Sequence, residues 1–310
     1  MRVKSSGVGS GNDRRDYWGS VGTSGMQTLT EKRVFGDKSG TTELFVASET
    51  GLVGVSVSAD QIGEFGLVHQ EPVGAVAASD RGVVIGTGDD VYHSDPTDAA
   101  APRAQSRTFT PLGEEPFGRA VAVGWGPEGA LAADAAGTVA RHASADEGWT
   151  PLGETGGVRA VDGGLVAAAD GVYRLTETGV DHVGLDDVRD VAGHGRPLAA
   201  TADGLFRLGN GWQSVAEGAF DRVASDGHGH AHAVGSAGLS RRVDDENGEW
   251  TPVDLPVGSS VVDVGYGGGL VAAVTDDGTL CVDAGDGWRH QLLGVRGVSE
   301  VAVGAASDAV

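Results

Sequence analysis

Short apolar runs alternate with turns along almost the whole chain after about residue 42. One pattern recurs there: a run with a central valine, a glycine-rich turn, a strand of small residues, a turn that ends in glycine, and a further strand. The clearest copies are VRAVDGGLVAAADGVYRLTETGV at 158–180 and VRDVAGHGRPLAATADGLFRLGNGW at 188–212. No stretch keeps the 3.6-residue period of an amphipathic helix, so the pattern predicts β-strands.

The central valine of the first run marks seven copies of this pattern. Aligning the copies on it gives Val76, Val121, Val161, Val191, Val223, Val264 and Val301, at spacings of 30 to 45 residues. Repeats of this length with about four strands each are typical of propeller blades. The sequence therefore predicts an all-β fold, a seven-bladed β-propeller of four-stranded antiparallel blades.

Turn residues and tryptophans recur at fixed places within the copies. Pairs such as Asp170-Gly171 and Asp203-Gly204 separate the second and third strands, and they predict tight hairpins with positive φ. The fourth strand opens with tryptophan in four copies, at Trp149, Trp212, Trp250 and Trp288. We expect these rings to pack between neighbouring blades.

The two ends of the repeat region complement each other. The last copy, VSEVAVG at 298–304, provides an innermost strand, whereas the first copy, ELFVASETGLVGVSV at 43–57, provides second and third strands. Pairing them in one blade closes the ring and removes an exposed edge. Residues 32–310 then form one domain. An alternative stays open at 32–37, KRVFGD, which could itself be an innermost strand.

The charge balance narrows the cellular setting and the partners. Asp and Glu number 44 against 22 Lys and Arg, which gives a formal charge of -22, and the three lysines all lie before residue 39. A carboxylate-rich, lysine-poor surface is typical of proteins that stay hydrated in molar salt, so we expect the cytoplasm of an extreme halophile. Such a charge argues against nucleic acid as a partner.

Other features exclude further classes of protein. The apolar runs are far shorter than a membrane-spanning segment, and the first residues lack the apolar core of a secretory signal. A membrane protein is therefore not expected. Cys281 is the single cysteine, which excludes a disulfide within the chain and a cysteine-cluster metal site.

The N-terminal residues differ in composition from the rest. Residues 1–25 are polar and rich in glycine and serine, and they carry a net charge of +2, from Arg2, Lys4, Arg14 and Arg15 against Asp13 and Asp16. We interpret residues 1–31 as a disordered arm or as an artefact of the assigned start site. In the second case translation begins at Met26.

The candidate binding residues lie beside the central valines. A propeller places functional groups at the mouths of its central channel, where each innermost strand contributes one end. Arginine stands two positions before the central valine in three consecutive copies, and charged residues occupy nearby positions in the others: Arg119, Arg159, Arg189, Asp190, Asp221, Arg222, Asp263 and Glu300. This arc predicts bidentate binding of a carboxylate or phosphate. The alternative is a ring of ion pairs that only holds the blades in register.

A second candidate site lies in DGHGHAH at 226–232. His228, His230 and His232 are spaced at i, i+2 and i+4, which places strand residues on one face and predicts a possible divalent metal site. Matching Gly238 to Gly204 places His232 where Leu198 and Leu165 stand in other copies, which predicts a packed strand residue. No other cofactor and no catalytic residue is indicated.

The hairpins of two copies carry a resemblance. The pattern DG-[VL]-[YF]-R-L at Asp170–Leu175 and Asp203–Leu208 resembles the repeats of sensor-type and YVTN-like propellers, and residues 31–304 resemble an uncharacterised haloarchaeal β-propeller family. The resemblance implies a seven-bladed cytoplasmic protein without an assigned activity. We expect a non-enzymatic scaffold that binds a protein partner or a small anionic ligand; the alternative is a metal-dependent enzyme of the lactonase or hydrolase type.

Overall fold

Seven four-stranded antiparallel sheets make up the described part of the chain. The computed structural model describes residues 40–96, 107–143, 148–243 and 248–307. Within these residues there is no helix, so no helix is long and apolar enough to span a membrane. The predicted seven-bladed β-propeller is confirmed. We number the blades from 1 to 7, starting with the first blade built from consecutive strands.

The strands follow one another from the innermost to the outermost position in blades 1 to 6. Blade 7 closes the ring and combines β1 (Thr41–Ser48), β2 (Gly51–Ser58) and β3 (Gln61–His69) with the last strand, β28 (Val298–Ser307). Blade 1 contains β4 (Val73–Ser79), β5 (Gly82–Thr87), β6 (Val91–Ser94) and β7 (Thr110–Pro111). Blade 2 contains β8 (Ala122–Gly126), β9 (Gly129–Ala133), β10 (Thr138–His142) and β11 (Trp149–Glu154). Blade 3 contains β12 (Val158–Asp162), β13 (Leu165–Ala168), β14 (Gly171–Leu175) and β15 (Val180–Gly184).

The remaining three blades have the same plan. Blade 4 contains β16 (Val188–Ala192), β17 (Leu198–Thr201), β18 (Gly204–Leu208) and β19 (Trp212–Glu217). Blade 5 contains β20 (Phe220–Ser225), β21 (His230–Gly235), β22 (Gly238–Val243) and β23 (Trp250–Pro252). Blade 6 contains β24 (Val261–Gly267), β25 (Leu270–Thr275), β26 (Thr279–Asp283) and β27 (Arg289–Leu292).

The chain closes the ring with its own distant segments, as predicted. β28 is the innermost strand of blade 7 and pairs antiparallel with β1, where Val301 lies opposite Val46. The residues 32–37, considered above as an alternative innermost strand, lie outside the described residues, and so do residues 1–31. Within blade 7 the innermost position belongs to β28.

The strand register corrects one member of the valine series. Val76 pairs with Ile85 on the next strand of blade 1, and the equivalent pair in blade 2 is Val123 with Ala132. Val121, which the sequence alignment placed in this row, precedes β8 by one residue. The two valines are two residues apart in the sequence, so an alternating pattern is satisfied by both.

The hairpins between second and third strands differ from the prediction in one detail. In blade 3 the loop consists of Ala169 and Asp170, and Gly171 already belongs to the strand. The positive φ belongs to Gly171, at 138°, whereas neither loop residue has a positive φ. Gly51 shows why glycine is needed there, because a Cβ atom would lie 2.1 Å from the carbonyl oxygen of His69.

Hydroxyl groups close several of these hairpins. Thr201 donates to the carbonyl oxygen of Gly204 at 3.0 Å and accepts from the backbone N–H groups of Asp203 and Gly204, both at 3.1 Å. Ser48, Thr87 and Thr275 end the equivalent strands and make hydrogen bonds across their own turns. One side-chain oxygen thus satisfies turn groups that the sheet leaves unpaired.

The apolar cores of the described residues lie between neighbouring blades. The cluster between blades 3 and 4 contains Leu165, Val172 and Val188, with the ring of Trp212 packed against it. The indole nitrogen of Trp212 also donates to the carbonyl oxygen of Val183 at 3.0 Å. Trp149, Trp250 and Trp288 pack against the equivalent clusters, which confirms the predicted inter-blade role.

Candidate functional site

The innermost strands surround a narrow polar channel. The central valines of all seven blades line it, around a cavity of about 210 Å³: Val76, Val123, Val161, Val191, Val223, Val264 and Val301. The side chains that precede these valines decide the chemistry of the channel. They are alanines in blades 1 to 3 and charged residues in blades 4 to 7.

Three carboxylates link successive blades inside this channel. Each belongs to the residue before a central valine and accepts a hydrogen bond from the backbone N–H of a central valine in the next blade. The pairs are Asp190 with Val223 at 2.8 Å, Asp263 with Val301 at 2.8 Å, and Glu300 with Val76 at 2.6 Å. The sequence predicted these three residues near the channel, and the structure brings them together.

Arg222 occupies the same position in blade 5 and balances part of their charge. Its Nε lies 3.4 Å from Oδ1 of Asp263. Asp263 is buried, with 5% of its surface exposed. Burial raises the pKa of Asp190 to about 7, against the lowering effect of Arg222. Burial likewise raises the pKa values of Asp263 and Glu300. Burial therefore favours the neutral forms of these carboxyl groups in the channel.

An arc of guanidinium groups lies at the end of the channel where the innermost strands begin, and we call it the arginine mouth. Arg159 of blade 3 donates through Nη1 to Asp187 at 2.7 Å, and Arg189 of blade 4 donates through Nη1 to Asp221 at 2.6 Å. With Arg222 these residues line a cavity of about 560 Å³. Each arginine therefore reaches an acidic residue that belongs to the next blade or directly precedes it.

Arg119 does not share the position of the other arginines. Because the blade 2 row is set by Val123, the equivalent of Arg159 and Arg189 is Val121, which lines the arginine mouth. Arg119 lies two residues further back, is exposed, and has no acidic oxygen of the described residues within 4 Å. Of the three arginines predicted to share one position, Arg159 and Arg189 do so, and Arg222 lies one position further along its own strand.

Sequence reasoning missed Asp187. It lies in the loop before β16, where Leu185 and Asp187 adopt positive φ values of 62° and 50°. Left-handed backbone at non-glycine residues is uncommon, although aspartate tolerates it. The turn aims the Asp187 carboxylate at Arg159. The only sequence signal is the acidic pair at 186–187, which the repeat pattern does not distinguish from a solvated loop.

The three histidines lie at the opposite end of the channel, around a cavity of about 790 Å³. Nδ1 of His228 lies 2.8 Å from the carbonyl oxygen of Asp226. Nδ1 of His230 lies 2.6 Å from a carboxylate oxygen of the same residue. His232 is 7% exposed, as expected for a packed strand residue, and its Nδ1 lies 2.5 Å from the hydroxyl of Tyr266. Within the described ranges no group of three or more His, Cys, Asp or Glu side chains is placed to hold a metal ion. The metal hypothesis therefore rests on sequence spacing alone.

Cys281 has a structural position. Its side chain is fully buried in the cluster between blades 5 and 6, and burial raises the pKa of the thiol to about 11. A thiol with a raised pKa is a poor nucleophile at neutral pH.

Solved structures share the fold at low sequence identity. The WD40 β-propeller domain of Doa1 has a TM-score of 0.56 at 15% identity, covering 74% of this chain and 84% of that one. The structure of U3-55K gives 0.56 at 12% identity, with 83% and 90% covered. YCF48 bound to a D1 peptide gives 0.52 at 12% identity, with 72% and 82% covered. No curated protein sequence matches significantly. The model of the HVO_0234-like β-propeller family matches residues 28–304.

Proposed function

Because this chain belongs to the HVO_0234-like β-propeller family, we propose that it is a non-enzymatic binding scaffold. In this proposal the arginine mouth recognises a carboxylate-bearing segment of a protein partner, and the setting is the cytoplasm of a halophile. A small anionic ligand carrying the same carboxylate would use the same groups. The halophile setting is supported by the excess of 44 acidic over 22 basic residues.

The observation that carries the proposal is the arc of guanidinium groups in an otherwise acidic chain. Arg159 and Arg189 each use one terminal nitrogen, Nη1, for their ion pair. The Nε and Nη2 atoms of both arginines make no further hydrogen bond to a described residue. An incoming carboxylate can therefore bind these donors while the existing ion pairs stay intact.

The acidic residues beside the arginine mouth determine which class of anion it can bind. Asp187 and Asp221 are 53% and 60% exposed at their side chains and leave the mouth with little net positive charge. A single carboxylate fits this balance better than a polyphosphate, which would face both acids. YCF48, a protein of the same fold, is described with a bound peptide, which supports a polypeptide as the class of partner.

The proposal can be tested by partner capture with paired variants. The tagged full chain and its Arg159→Gln/Arg189→Gln variant are used to recover proteins from the native high-salt cytoplasm, and the recovered proteins are quantified by mass spectrometry. We expect a specific partner to be depleted at least tenfold by the double substitution, because two charge-assisted hydrogen-bonding groups are lost.

The matched control is Arg207→Gln, which removes a positive charge from a third strand away from the mouth. This control variant should recover the partner as the unsubstituted protein does. Thermal unfolding of each variant checks that the fold is retained. Equal recovery by the unsubstituted protein and by the folded double variant would refute the arginine mouth as the binding site.

A further inference from the structure

The repeat is interrupted at the groove between blades 5 and 6. On the second strands, Leu131, Leu165 and Leu198 each lie opposite an arginine of the third strand. In blade 5 the residue opposite Arg241 is His232 instead. Of these four equivalent second-strand positions, three carry leucine and the one in blade 5 carries a buried imidazole. A packing role alone does not account for this residue type.

The neighbouring blade supplies a second polar group that the repeat does not require. The residue two positions after the central valine varies between blades, from Gly193 in blade 4 to Trp125 in blade 2, and in blade 6 it is Tyr266. The Tyr266 hydroxyl lies 2.5 Å from Nδ1 of His232. Imidazole and phenol thus form one hydrogen-bonded pair across the blade interface.

This pair has a spare donor whichever group donates to the other. Burial lowers the pKa of His232 to about 4 and raises the pKa of Tyr266, so both groups are neutral near pH 7 and each carries one proton. One proton forms their mutual hydrogen bond. The other, on Nε2 of His232 or on the Tyr266 hydroxyl, makes no hydrogen bond to a described residue, and both side chains line the cavity of about 790 Å³.

Arg241 adds a positive charge to the same cavity. It is exposed, lines the cavity, and has no acidic oxygen of the described residues within 4 Å. The carboxylates of two residues also line the cavity, but both already accept hydrogen bonds from neighbouring groups. Asp226 accepts hydrogen bonds from His228 and His230, and Asp283 accepts from the backbone N–H groups of Gly285 and Gly287.

These charges and the shape of the cavity define the ligand class. The cavity is within the size range of small-molecule sites, and its walls include Leu270, Val271 and Val303. The two carboxylates are offset by Arg241 and by Arg242, which also lines the cavity, so there is no excess positive charge to hold a dianion, while Arg241 and the spare donor favour a monoanion with two acceptor oxygens. We propose that this groove binds a small organic monocarboxylate with an apolar body, held by Arg241 and the His232–Tyr266 pair.

The site is separate from the arginine mouth. It is lined by the ends of the innermost strands, such as Ser225 and Gly267, whereas the arginine mouth is lined by their beginnings, such as Val158 and Arg189. The two proposals can therefore fail independently, since Arg241 and Arg159 belong to different cavities.

The test uses three probes that share one apolar body: 4-phenylbutyrate, its neutral amide, and 3-phenylpropyl phosphate. Ligand-observed NMR and calorimetry on the full chain measure binding. For a probe of this size we expect a Kd of about 1 mM for the carboxylate. The amide and the phosphate should bind at least about tenfold more weakly. Trp288 lies near the site, with its ring centroid 6.0 Å from that of His232, and the chain has six tryptophans, so the local readout is a fluorescence change that is lost in Trp288→Phe.

Paired variants locate the binding. Arg241→Gln should weaken 4-phenylbutyrate binding by about tenfold or more, and Tyr266→Phe should also weaken it. Arg174→Gln, at the equivalent position opposite Leu165 in blade 3, should leave it unchanged. The proposal is overturned if folded protein shows no binding at about 20 mM probe. Unchanged affinity in Arg241→Gln, or tighter binding of the phosphate, would also overturn it.

Discussion

A buried ion pair between the closing blade and its neighbour gives a sharp prediction about stability. Nε of Arg107, which precedes β7 in blade 1, lies 3.1 Å from Oε2 of Glu43 on β1 of blade 7. The two side chains are 6% and 9% exposed. The guanidinium carbon of Arg107 also lies 5.3 Å from the centroid of the Phe45 ring. Water therefore compensates little if either partner is removed.

The perturbation is Arg107→Met, which keeps the apolar stem and removes the charge. Removing one partner of a buried ion pair typically costs about 3–5 kcal/mol, because the remaining group loses an opposite charge in a place with little access to water. Urea unfolding at constant salt, followed by circular dichroism, measures the change. With a urea dependence of about 3 kcal/mol per molar for a chain of this size, the midpoint should fall by about 1–1.7 M.

The second variants separate loss of the pair from loss of packing. Glu43→Leu alone should be destabilising for the same reason. The double variant, Glu43→Leu/Arg107→Met, should recover most of the loss, because an apolar pair of similar volume often replaces a buried ion pair at little cost. An Arg107→Met protein within about 0.5 kcal/mol of the unsubstituted chain would refute the reasoning.

Three further predictions concern the channel, the hairpins and the closure. Burial raises the pKa of Asp190 from 3.8 to about 7, so the folded state binds this proton more tightly than the unfolded state, and the resulting stabilisation is lost as pH rises across that window. Between about pH 5 and pH 8 the unfolding free energy of the unsubstituted protein should therefore fall by about 2–3 kcal/mol from this group, and the Asp190→Asn protein should lack that fall. Equal pH dependence in both proteins would contradict this. Thr201→Val should cost about 1–3 kcal/mol in urea unfolding, because the turn groups it serves lose their partner, whereas the exposed Thr251→Val should cost less than about 0.5 kcal/mol. A chain ending at residue 297 lacks β28 and exposes the edge of β1, so we expect aggregation in size-exclusion chromatography; a folded monomer would count against the closure.

Strand architecture was accessible from the sequence because it depends on local patterns. The period of the repeat, the turn glycines and the complementary end segments at 43–57 and 298–304 each follow from alternation and turn chemistry. The alignment in blade 2 could not be settled in this way. Val121 and Val123 are two residues apart in the sequence, so an alternating pattern is satisfied by both, and only the pairing of Val123 with Ala132 distinguishes them.

The candidate sites were accessible only in part, because they depend on contacts between blades. The channel positions of Asp190, Asp263 and Glu300 followed from counting back from a central valine. The partner of Arg159 did not, because Asp187 lies in a loop whose backbone has an unusual conformation. The contact of His232 with Tyr266 spans 34 residues, and nothing in either segment alone indicates it.

The most direct test of the binding proposal is an experimental structure of the protein in complex with the partner recovered from the native cytoplasm. The account predicts a carboxylate of that partner within hydrogen-bonding distance of the Arg159 and Arg189 guanidinium groups, with their ion pairs to Asp187 and Asp221 retained. A partner bound on the outer strands, with no group of the partner at the arginine mouth, would contradict it.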